Sequence, residues 1–349
     1  MIRSASNAPC FVGTWSFALP ALEAGWSCLG EDELAILDMV ERACAHADAN
    51  PAVDSVGFGG LPDSSGVMSL DGAIMLAPDR VGGVCDLRHH LHPVSVSRRV
   101  MDSTEHSLLC GENADRFADR HGFERRSILS SEARTAWESW VDDRHGRDRG
   151  ATQDLRPVDP GTSSDGRLFR PSSLDGAAPA GHDTIGVLAR DRGQRMAAGC
   201  STSGLPFKVP GRVGDSPIVG HGLYVVPGVG QATATGTGEM ISGVCASFLA
   251  TEFLRRGASV VDSATETVRR VDETYELEPH HQVAVIVMDC DGAISAAALR
   301  PGFRVAIVED GRREVLDPDV VLHPEDGMLP ESAIEGLAKP TNTPNPEES

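Results

Sequence analysis

At 349 residues, with 40% hydrophobic and 23% charged side chains, the chain has the composition of a soluble globular protein with a sizeable core. Fifty-one acidic residues against 31 basic ones give a formal net charge of −20, which repels nucleic-acid backbones and anionic membranes. We therefore expect no nucleic acid and no membrane as partner. The amino-terminal stretch MIRSASNAPCFVGTWSF has no apolar run of signal-peptide length, so we expect a cytoplasmic protein.

The first part of the sequence alternates helical and strand-like patterns. DELAILDMVERACAHA (32–47) has apolar residues at helical spacing, and a Gly-rich loop over 55–66 leads into a strand over 67–76. HPVSVSRRVMDST, GENADRFADRHGF and SEARTAWESWVDDR each predict a helix. LRHHLHP (87–93) contains adjacent histidines without a carboxylate or cysteine at ligand spacing. We interpret it as a surface turn rather than a metal site.

Residues 145–180 are the part of the chain least able to fold, because Gly, Pro, Ser, Asp and Arg dominate and apolar residues are sparse. A segment of this length inside a compact domain is usually functional or a linker. It runs without a turn into the strand pattern TIGVLARD at the junction of Asp183 and Thr184. Asp favours turns and Thr favours strands, so an ordinary strand start explains the junction. The alternative is that Thr184 begins a new chain after cleavage.

The second part of the sequence is richer in strands. TIGVLARD and RMAAGCST predict a hairpin, GHGLYVVPGVGQATATGTGE predicts two more strands, and QVAVIVMDCDGAISAAAL predicts another hairpin. Between them, MISGVCASFLATEFLRRG predicts one helix ending at Gly257, and SATETVRRVDETY predicts the next. This order favours an α+β layered fold over a doubly wound parallel sheet. Eight scattered cysteines without a C-x-x-C pair indicate structural thiols.

Two Gly-rich stretches in this part carry candidate chemistry. GVGQATATGTGE lacks the Lys-Ser/Thr of a phosphate-binding loop, but its threonines and backbone N–H groups are suited to hold an oxyanion. In KVPGRVGDSPIVGHG, Arg212 and Asp215 stand three residues apart among glycines. An Arg fork binds a carboxylate and an Asp accepts from an ammonium group, so the pair is suited to an α-amino acid. A local Arg–Asp surface pair is the alternative interpretation.

Seven motifs together carry a family resemblance: GTWSF, SVGFGG, SLDGAIM, HDTIG, CSTSG, GRVGDSPIVGHGLY and ATATGTGE. In this order, over about residues 10–315, the sequence resembles the glycosylasparaginases, a family of N-terminal-nucleophile hydrolases. The resemblance implies an α+β fold of the αββα four-layer sandwich type. It also implies an inactive single chain that cuts itself between Asp183 and Thr184. Two features depart from the family pattern: Gly13 stands where many members have Asn, and the 145–180 segment aligns with no motif.

Self-cleavage would give an α subunit of residues 1–183 and a β subunit of residues 184–349 that together form one globular domain. We expect a flexible segment over 145–182 and a disordered, Pro- and Glu-rich tail over 322–349. By the same resemblance, two αβ units pair into a heterotetramer. No cofactor and no metal ion are implied.

The resemblance also implies the roles of single residues. Thr184 would be the nucleophile, with its own freed α-amino group as general base, and Asp183 would assist the cleavage. The other implied site residues are Thr202, which hydrogen-bonds the nucleophile; Thr235 and Gly236, which form the oxyanion hole; Arg212 and Asp215, which hold the α-carboxylate and α-ammonium of the substrate; and Trp15, which lines the pocket.

The expected reaction is cleavage of the β-amide of N4-(β-N-acetylglucosaminyl)-L-asparagine or of a related small β-aspartyl compound. One alternative is an isoaspartyl peptidase/L-asparaginase. That branch typically begins with an HGGAG-type strand and has Gly before its Thr-Val-Gly nucleophile, whereas this chain has GTWSF and HDTIG. The other alternative is an uncut, inactive relative that acts as a binding protein.

Overall fold

The computed structural model describes residues 1–32, 34–148 and 184–326, and it describes side chains in the second range only up to residue 142. Within these ranges, eight α-helices and thirteen strands form a mixed α/β fold with two β-sheets. The helices are α1 (Ala18–Trp26), α2 (Ala35–Ala49), α3 (Pro93–Ser103), α4 (Gly111–Arg120), α5 (Ser131–Asp148), α6 (Gly238–Val244), α7 (Ala246–Arg255) and α8 (Val260–Thr274).

The two sheets are almost entirely antiparallel. Their strands are β1 (Cys10–Thr14), β2 (Leu70–Ala77), β3 (Arg80–Leu87), β4 (Leu108–Cys110), β5 (Ile185–Arg190), β6 (Met196–Thr202), β7 (Leu223–Val226), β8 (Gly230–Gly236), β9 (Val283–Asp289), β10 (Ile294–Ala298), β11 (Val305–Glu309), β12 (Arg312–Leu316) and β13 (Val320–Val321). The larger sheet has the order β12-β11-β1-β5-β6-β2-β3-β4, and the smaller sheet has the order β13-β10-β9-β8-β7. Only β3–β4 and β10–β13 pair in parallel among the described strands.

Both sheets are apolar on both faces in their central strands. Along β5, Ile185 and Val187 pack in a cluster with α1 and α2, whereas Leu188 packs in a second cluster that both sheets share. β9 alternates in the same way between the shared cluster and a third cluster with α7 and α8. Side chains point to opposite faces along a strand, so a strand buried on both faces has a continuous apolar sequence. This burial explains runs such as VAVIVM.

Most of the elements expected from the sequence are confirmed. The helix over 32–47 is α2, and the three helical patterns that follow it are α3, α4 and α5. TIGVLARD and RMAAGCST form the antiparallel hairpin β5–β6, and the hairpin predicted over QVAVIVMDCDGAISAAAL is β9–β10. The described chain also contains α1, β3 and the hairpin β11–β12, which the sequence reasoning did not predict. The mixed architecture agrees with an α+β fold.

The single helix expected over MISGVCASFLATEFLRRG is wrong. Two helices, α6 and α7, meet there at Cys245, whose φ of 52° lies in the left-handed region. Cys245 is neither a glycine nor a proline, and a non-glycine residue rarely adopts this conformation, so the residue at the break gives no signal for it in the sequence. The break lets α7 turn away from α6 and pack on β8.

The surface-turn interpretation of LRHHLHP is wrong for His90. This imidazole is buried, with Nδ1 at 2.9 Å from Oδ1 of Asp115 and Nε2 at 3.2 Å from Oδ1 of Asp119. Both carboxylates come from α4, so the contact ties the end of β3 to that helix. No group of three or more metal-ligating side chains occurs among the described residues.

The chain stays ordered slightly beyond the point expected from composition. Leu322 and His323, at the start of the expected tail, donate backbone hydrogen bonds to Ala298 and Leu299. The remainder of that tail, from 327 onward, lies outside the described residues, as do 149–183, which include Asp183 and most of the expected flexible segment. Among the helices of the described ranges, none is long and apolar enough to cross a membrane.

Candidate active site

Thr184 lies immediately before β5, near the middle of the larger sheet, and is only 5% exposed. Its neighbour in the sheet, β1, ends at Thr14. The Thr14 hydroxyl donates to the carbonyl oxygen of Thr184 and accepts from the backbone N–H of Gly186 at 2.8 Å. The buried side chain of Thr14 on β1 thus fixes the start of β5, its neighbour in the sheet.

The polar atoms of Thr184 have defined partners. Its hydroxyl Oγ1 lies 3.0 Å from Oγ of Ser216, and its backbone nitrogen donates to Oγ1 of Thr235 at 3.2 Å. Nε1 of Trp15 also donates to Oγ1 of Thr235, at 3.0 Å. Thr235 Oγ1 therefore accepts two hydrogen bonds, one from the indole of Trp15 and one from the nitrogen of Thr184. The hydroxyl and the nitrogen of Thr184 are thus each held by the hydroxyl group of another residue, Ser216 for the first and Thr235 for the second.

Trp15 reaches Thr235 through an unusual backbone conformation. Its φ is 70°, in the left-handed region, and its indole is 4% exposed and packs edge-on against Phe303 with 5.1 Å between ring centroids. A left-handed conformation costs a non-glycine residue energy and persists only where packing enforces it. In this conformation the indole N–H donates to Oγ1 of Thr235, the atom that also accepts from the nitrogen of Thr184.

A small, partly open pocket is lined by Thr184. Five of the residues singled out in the sequence line it, and the remaining lining residues come from the loops around them. The lining residues are Thr184, Thr202, Gly204, Leu205, Arg212, Gly214, Asp215, Ser216 and Gly236. Trp15 and Thr235 connect to this group through the hydrogen bonds at Thr184. Only Asp183 lies outside the described residues.

Thr202 is in the pocket wall, but its hydroxyl has other partners. Its Oγ1 accepts from the backbone N–H of Gly204 at 2.9 Å and donates to the carbonyl oxygen of Ser55 at 3.5 Å. Among the described residues, the hydroxyl of Thr184 contacts Ser216 rather than Thr202. The sequence reasoning missed Ser216, although it directly follows Asp215 in the motif GDSPIVGHG.

The charged wall of the pocket is formed by the loop between β6 and β7. Asp215 is buried, and its Oδ2 has no hydrogen-bond partner among the described residues. Burial raises the pKa of Asp215 to about 7, although the charge of Arg212 acts in the opposite direction. Arg212 makes two hydrogen bonds to the Glu239 carboxylate, from Nε at 2.8 Å and from Nη2 at 2.9 Å. The sequence reasoning also missed Glu239.

Two glycines allow this charged wall to approach the backbone. A Cβ at Gly238 would lie 2.8 Å from Oδ1 of Asp215 and 2.9 Å from Nη2 of Arg212. Gly236 has a φ of 121°, and a Cβ there would lie 2.1 Å from the carbonyl oxygen of Gln282. A side chain at either position would displace backbone or charged groups. The glycines of ATATGTGE are therefore explained by close contacts.

A buried ion pair supports the pocket from behind. Nζ of Lys208 donates to the carbonyl oxygen of Ser203 at 2.9 Å and lies 4.0 Å from Oδ2 of Asp71. Both side chains are almost fully buried, and burial lowers the pKa of Lys208 and raises that of Asp71. Nζ of Lys208 would lie 2.9 Å from a Cβ at Gly204, so the pair lies directly beneath the pocket wall.

Known proteins are similar to this sequence over most of its length. Residues 14–316 match the family model described as Asparaginase. N(4)-(Beta-N-acetylglucosaminyl)-L-asparaginase of Elizabethkingia miricola is 31% identical over 321 residues, which cover 91% of this chain and 86% of that protein. The Mus musculus protein of the same name is 34% identical over 309 residues, which cover 85% of this chain and 86% of the relative.

The family match spans the residues that form the pocket, from the end of β1 to β12. It covers both sheets apart from the outermost strand β13 of the smaller one and most of β1. Proteins of this family have the N-terminal-nucleophile hydrolase fold. The chain belongs to the asparaginase family, and it is an amidohydrolase of the glycosylasparaginase type.

Proposed function

We propose that this chain cuts itself before Thr184 and then hydrolyses the β-amide of N4-(β-N-acetylglucosaminyl)-L-asparagine or of a related small β-aspartyl compound. One observation carries the proposal: the hydroxyl and nitrogen of Thr184 lie in the same pocket as Arg212 and Asp215. The names of the relatives from Elizabethkingia miricola and Mus musculus support the choice of substrate. The threonine supplies the chemistry, and the charged pair recognises the amino-acid part of the substrate.

In the cutting step, Oγ1 of Thr184 attacks the carbonyl carbon of Asp183, and the bond from that carbon to the Thr184 nitrogen breaks. The acyl group moves to the oxygen as an ester, and the nitrogen takes up a proton. Water then hydrolyses the ester, which leaves a carboxylate on Asp183 and a free amino group on Thr184. Asp183 assists this step. The products are the subunits 1–183 and 184–349.

The cut creates the general base. An α-amino group has an unperturbed pKa of about 7.7–8.0, so near neutral pH it can accept the proton of the neighbouring hydroxyl, which an amide nitrogen cannot do. Thr184 Oγ1 then attacks the side-chain amide of the substrate. The amine leaves with a proton, and water hydrolyses the acyl-enzyme ester to release aspartate. Each Thr184 group returns to its starting state.

The pocket supplies stabilisation and recognition. The Thr235 hydroxyl and the Gly236 N–H bind the oxyanion, and such preorganised donors act most strongly in a site that excludes water. Arg212 binds the α-carboxylate and Asp215 the α-ammonium of the substrate. Thr202 and Trp15 shape the pocket around the nucleophile. The three apolar clusters on the faces of the two sheets support an αββα layering of the whole domain.

The test of substrate class is a paired assay of the self-cut protein. N4-(β-N-acetylglucosaminyl)-L-asparagine and a β-aspartyl dipeptide are supplied separately at equal concentration, and released aspartate is measured. We expect aspartate from the glycosylated asparagine. Turnover of the dipeptide alone would instead assign an isoaspartyl peptidase/L-asparaginase. The Thr184→Ala protein is the control, because it keeps the fold and lacks the nucleophile.

A further inference from the structure

The guanidinium group of Arg212 has two faces that can each bind a carboxylate. One face presents Nε and Nη2, and the other presents Nη1 and Nη2. Glu239 occupies the first face, with bonds of 2.8 Å and 2.9 Å. This is a bidentate pair within the protein, so it fixes the plane of the guanidinium.

The second face of Arg212 lies against the pocket wall. Nη1 would be 2.9 Å from a Cβ at Gly214 and 3.4 Å from a Cβ at Gly204, and both glycines line the pocket. Because these positions carry no side chain, the guanidinium end remains accessible from the pocket. The Glu239 contact is therefore compatible with a ligand carboxylate on the other face.

Glu239 is connected to the rest of the site through its own backbone. It is the second residue of α6, and it follows the end of β8 by three residues. The preceding Gly238 contacts both Nη2 of Arg212 and Oδ1 of Asp215 closely enough that no Cβ fits. The side chain of Glu239 is half exposed, whereas that of Arg212 is 16% exposed. Removing the Glu239 carboxylate thus frees Arg212 without leaving a cavity in the core.

We propose that Glu239 is a positioning residue that holds Arg212 with its Nη1 end directed into the pocket and thereby sets the affinity for the α-carboxylate of the substrate. This inference rests on the proposed function of the pocket. A long arginine side chain has many rotamers, and ordering it on ligand binding costs conformational entropy. The bonds to Glu239 order the Arg212 side chain before the ligand binds, so less conformational entropy is lost on binding. The opposite role, in which Glu239 competes with the substrate for Arg212, predicts tighter binding when Glu239 is removed.

The probe is L-aspartate, the acyl product of the proposed reaction, titrated calorimetrically into self-cut protein. For Glu239→Ala we expect the Kd to rise about tenfold, as expected when a binding group loses its preorganised geometry. KM for the glycosylated asparagine rises by a similar factor, and kcat changes by less than about twofold because Thr184 is not affected. Glu239→Gln, which keeps the size and one acceptor, gives a smaller rise in Kd.

A matched control exists on α7. Glu252 also binds an arginine through two bonds, to Nε and Nη2 of Arg255, at 2.5 Å and 2.7 Å, and neither residue lines the pocket. Glu252→Ala should leave the Kd for L-aspartate unchanged. All variants should still cut before Thr184, which a gel verifies.

Two results would overturn the inference, and they are distinguishable. If the wild-type protein binds L-aspartate and Glu239→Ala binds it equally or more tightly, the positioning role is wrong and the proposed function stands. If the self-cut wild-type protein binds no L-aspartate, the proposed recognition of an α-amino acid fails, and the role of Glu239 fails with it.

Discussion

The two sides of the pocket are formed by different kinds of side chain, neutral on one side and charged on the other. Around Thr184, the contacts are neutral hydroxyl groups held at the ends of strands β1 and β8 and by the loop after β6. Around Arg212 and Asp215, the contacts are charges held on that loop and at the start of α6. Geometry set by strands responds little to pH, whereas buried charges respond strongly. The first side is suited to bond cleavage and the second to recognition.

The largest effect should follow from Thr235→Ala, on the neutral side of the pocket. Loss of one oxyanion donor typically lowers kcat by about 10²–10³-fold, and we expect a decrease of this size with little change in KM. Self-cleavage should slow as well, because the same hydroxyl accepts from the nitrogen of Thr184. Steady-state kinetics and a time course on a denaturing gel measure both.

If the kcat of Thr235→Ala stayed within threefold of the wild-type value, Thr235 would not be an oxyanion donor in the reaction. Thr274→Ala is a suitable control, because this hydroxyl donates to a backbone carbonyl oxygen within α8 and is exposed.

Arg212→Ala separates recognition from cutting on the charged side. We expect KM to rise about a hundredfold, because a charge-assisted pair to a carboxylate is lost, while self-cleavage proceeds as in the wild-type protein. A normal KM would contradict the carboxylate-binding role. If self-cleavage failed, the two sides of the pocket would not be separable. Arg255→Ala, on the surface of α7, is the matched control.

The pH dependence of KM should report Asp215. Its pKa is raised to about 7 by burial, with Glu239 and Asp71 adding to the rise and Arg212 opposing it. Below this pH the carboxyl group is protonated and no longer binds an ammonium, so we expect KM to increase about tenfold per pH unit below pH 7. Steady-state kinetics from pH 5 to 9 measure this dependence. A KM independent of pH would show that Asp215 does not hold the α-ammonium group.

The same pKa has a consequence for stability. The folded-state pKa of about 7 exceeds the ordinary value of 3.8, so Asp215 binds its proton more tightly in the folded protein than in the unfolded chain. The stabilising contribution of protonated Asp215 is complete below about pH 4 and is lost as pH rises through 7. Asp215→Asn should therefore raise the free energy of unfolding at pH 8 and not at pH 4. Urea unfolding at both values checks this, and destabilisation at pH 8 would contradict it.

Ser216→Ala should have the smallest effect. It removes one neutral hydrogen bond, which is worth about 1 kcal/mol, so we expect kcat to fall about fivefold with KM unchanged. An effect confined to KM would place Ser216 on the recognition side of the pocket. Ser103→Ala is the control, because this exposed hydroxyl donates to the backbone within α3.

Local patterns in the sequence predict the central strands, and the short motifs that carry the family resemblance imply five of the pocket-lining residues. β5 and β9 are continuous apolar runs, and the loop residues stand in short motifs. Glu239 and Ser216 were missed because their partners lie 27 and 32 residues away in the chain, and no periodicity relates them. The break at Cys245 was missed because the left-handed residue is a cysteine, which gives no signal for a helix break in the sequence.

The central claim is that Thr184 becomes the amino terminus of a separate chain. Intact-mass spectrometry of purified protein, followed by amino-terminal sequencing of the smaller product, tests it directly. We predict fragments of 183 and 166 residues, the latter starting with Thr184, and a single chain of 349 residues for Thr184→Ala. A wild-type protein that remains a single chain after prolonged incubation would contradict the account and favour an uncut binding protein.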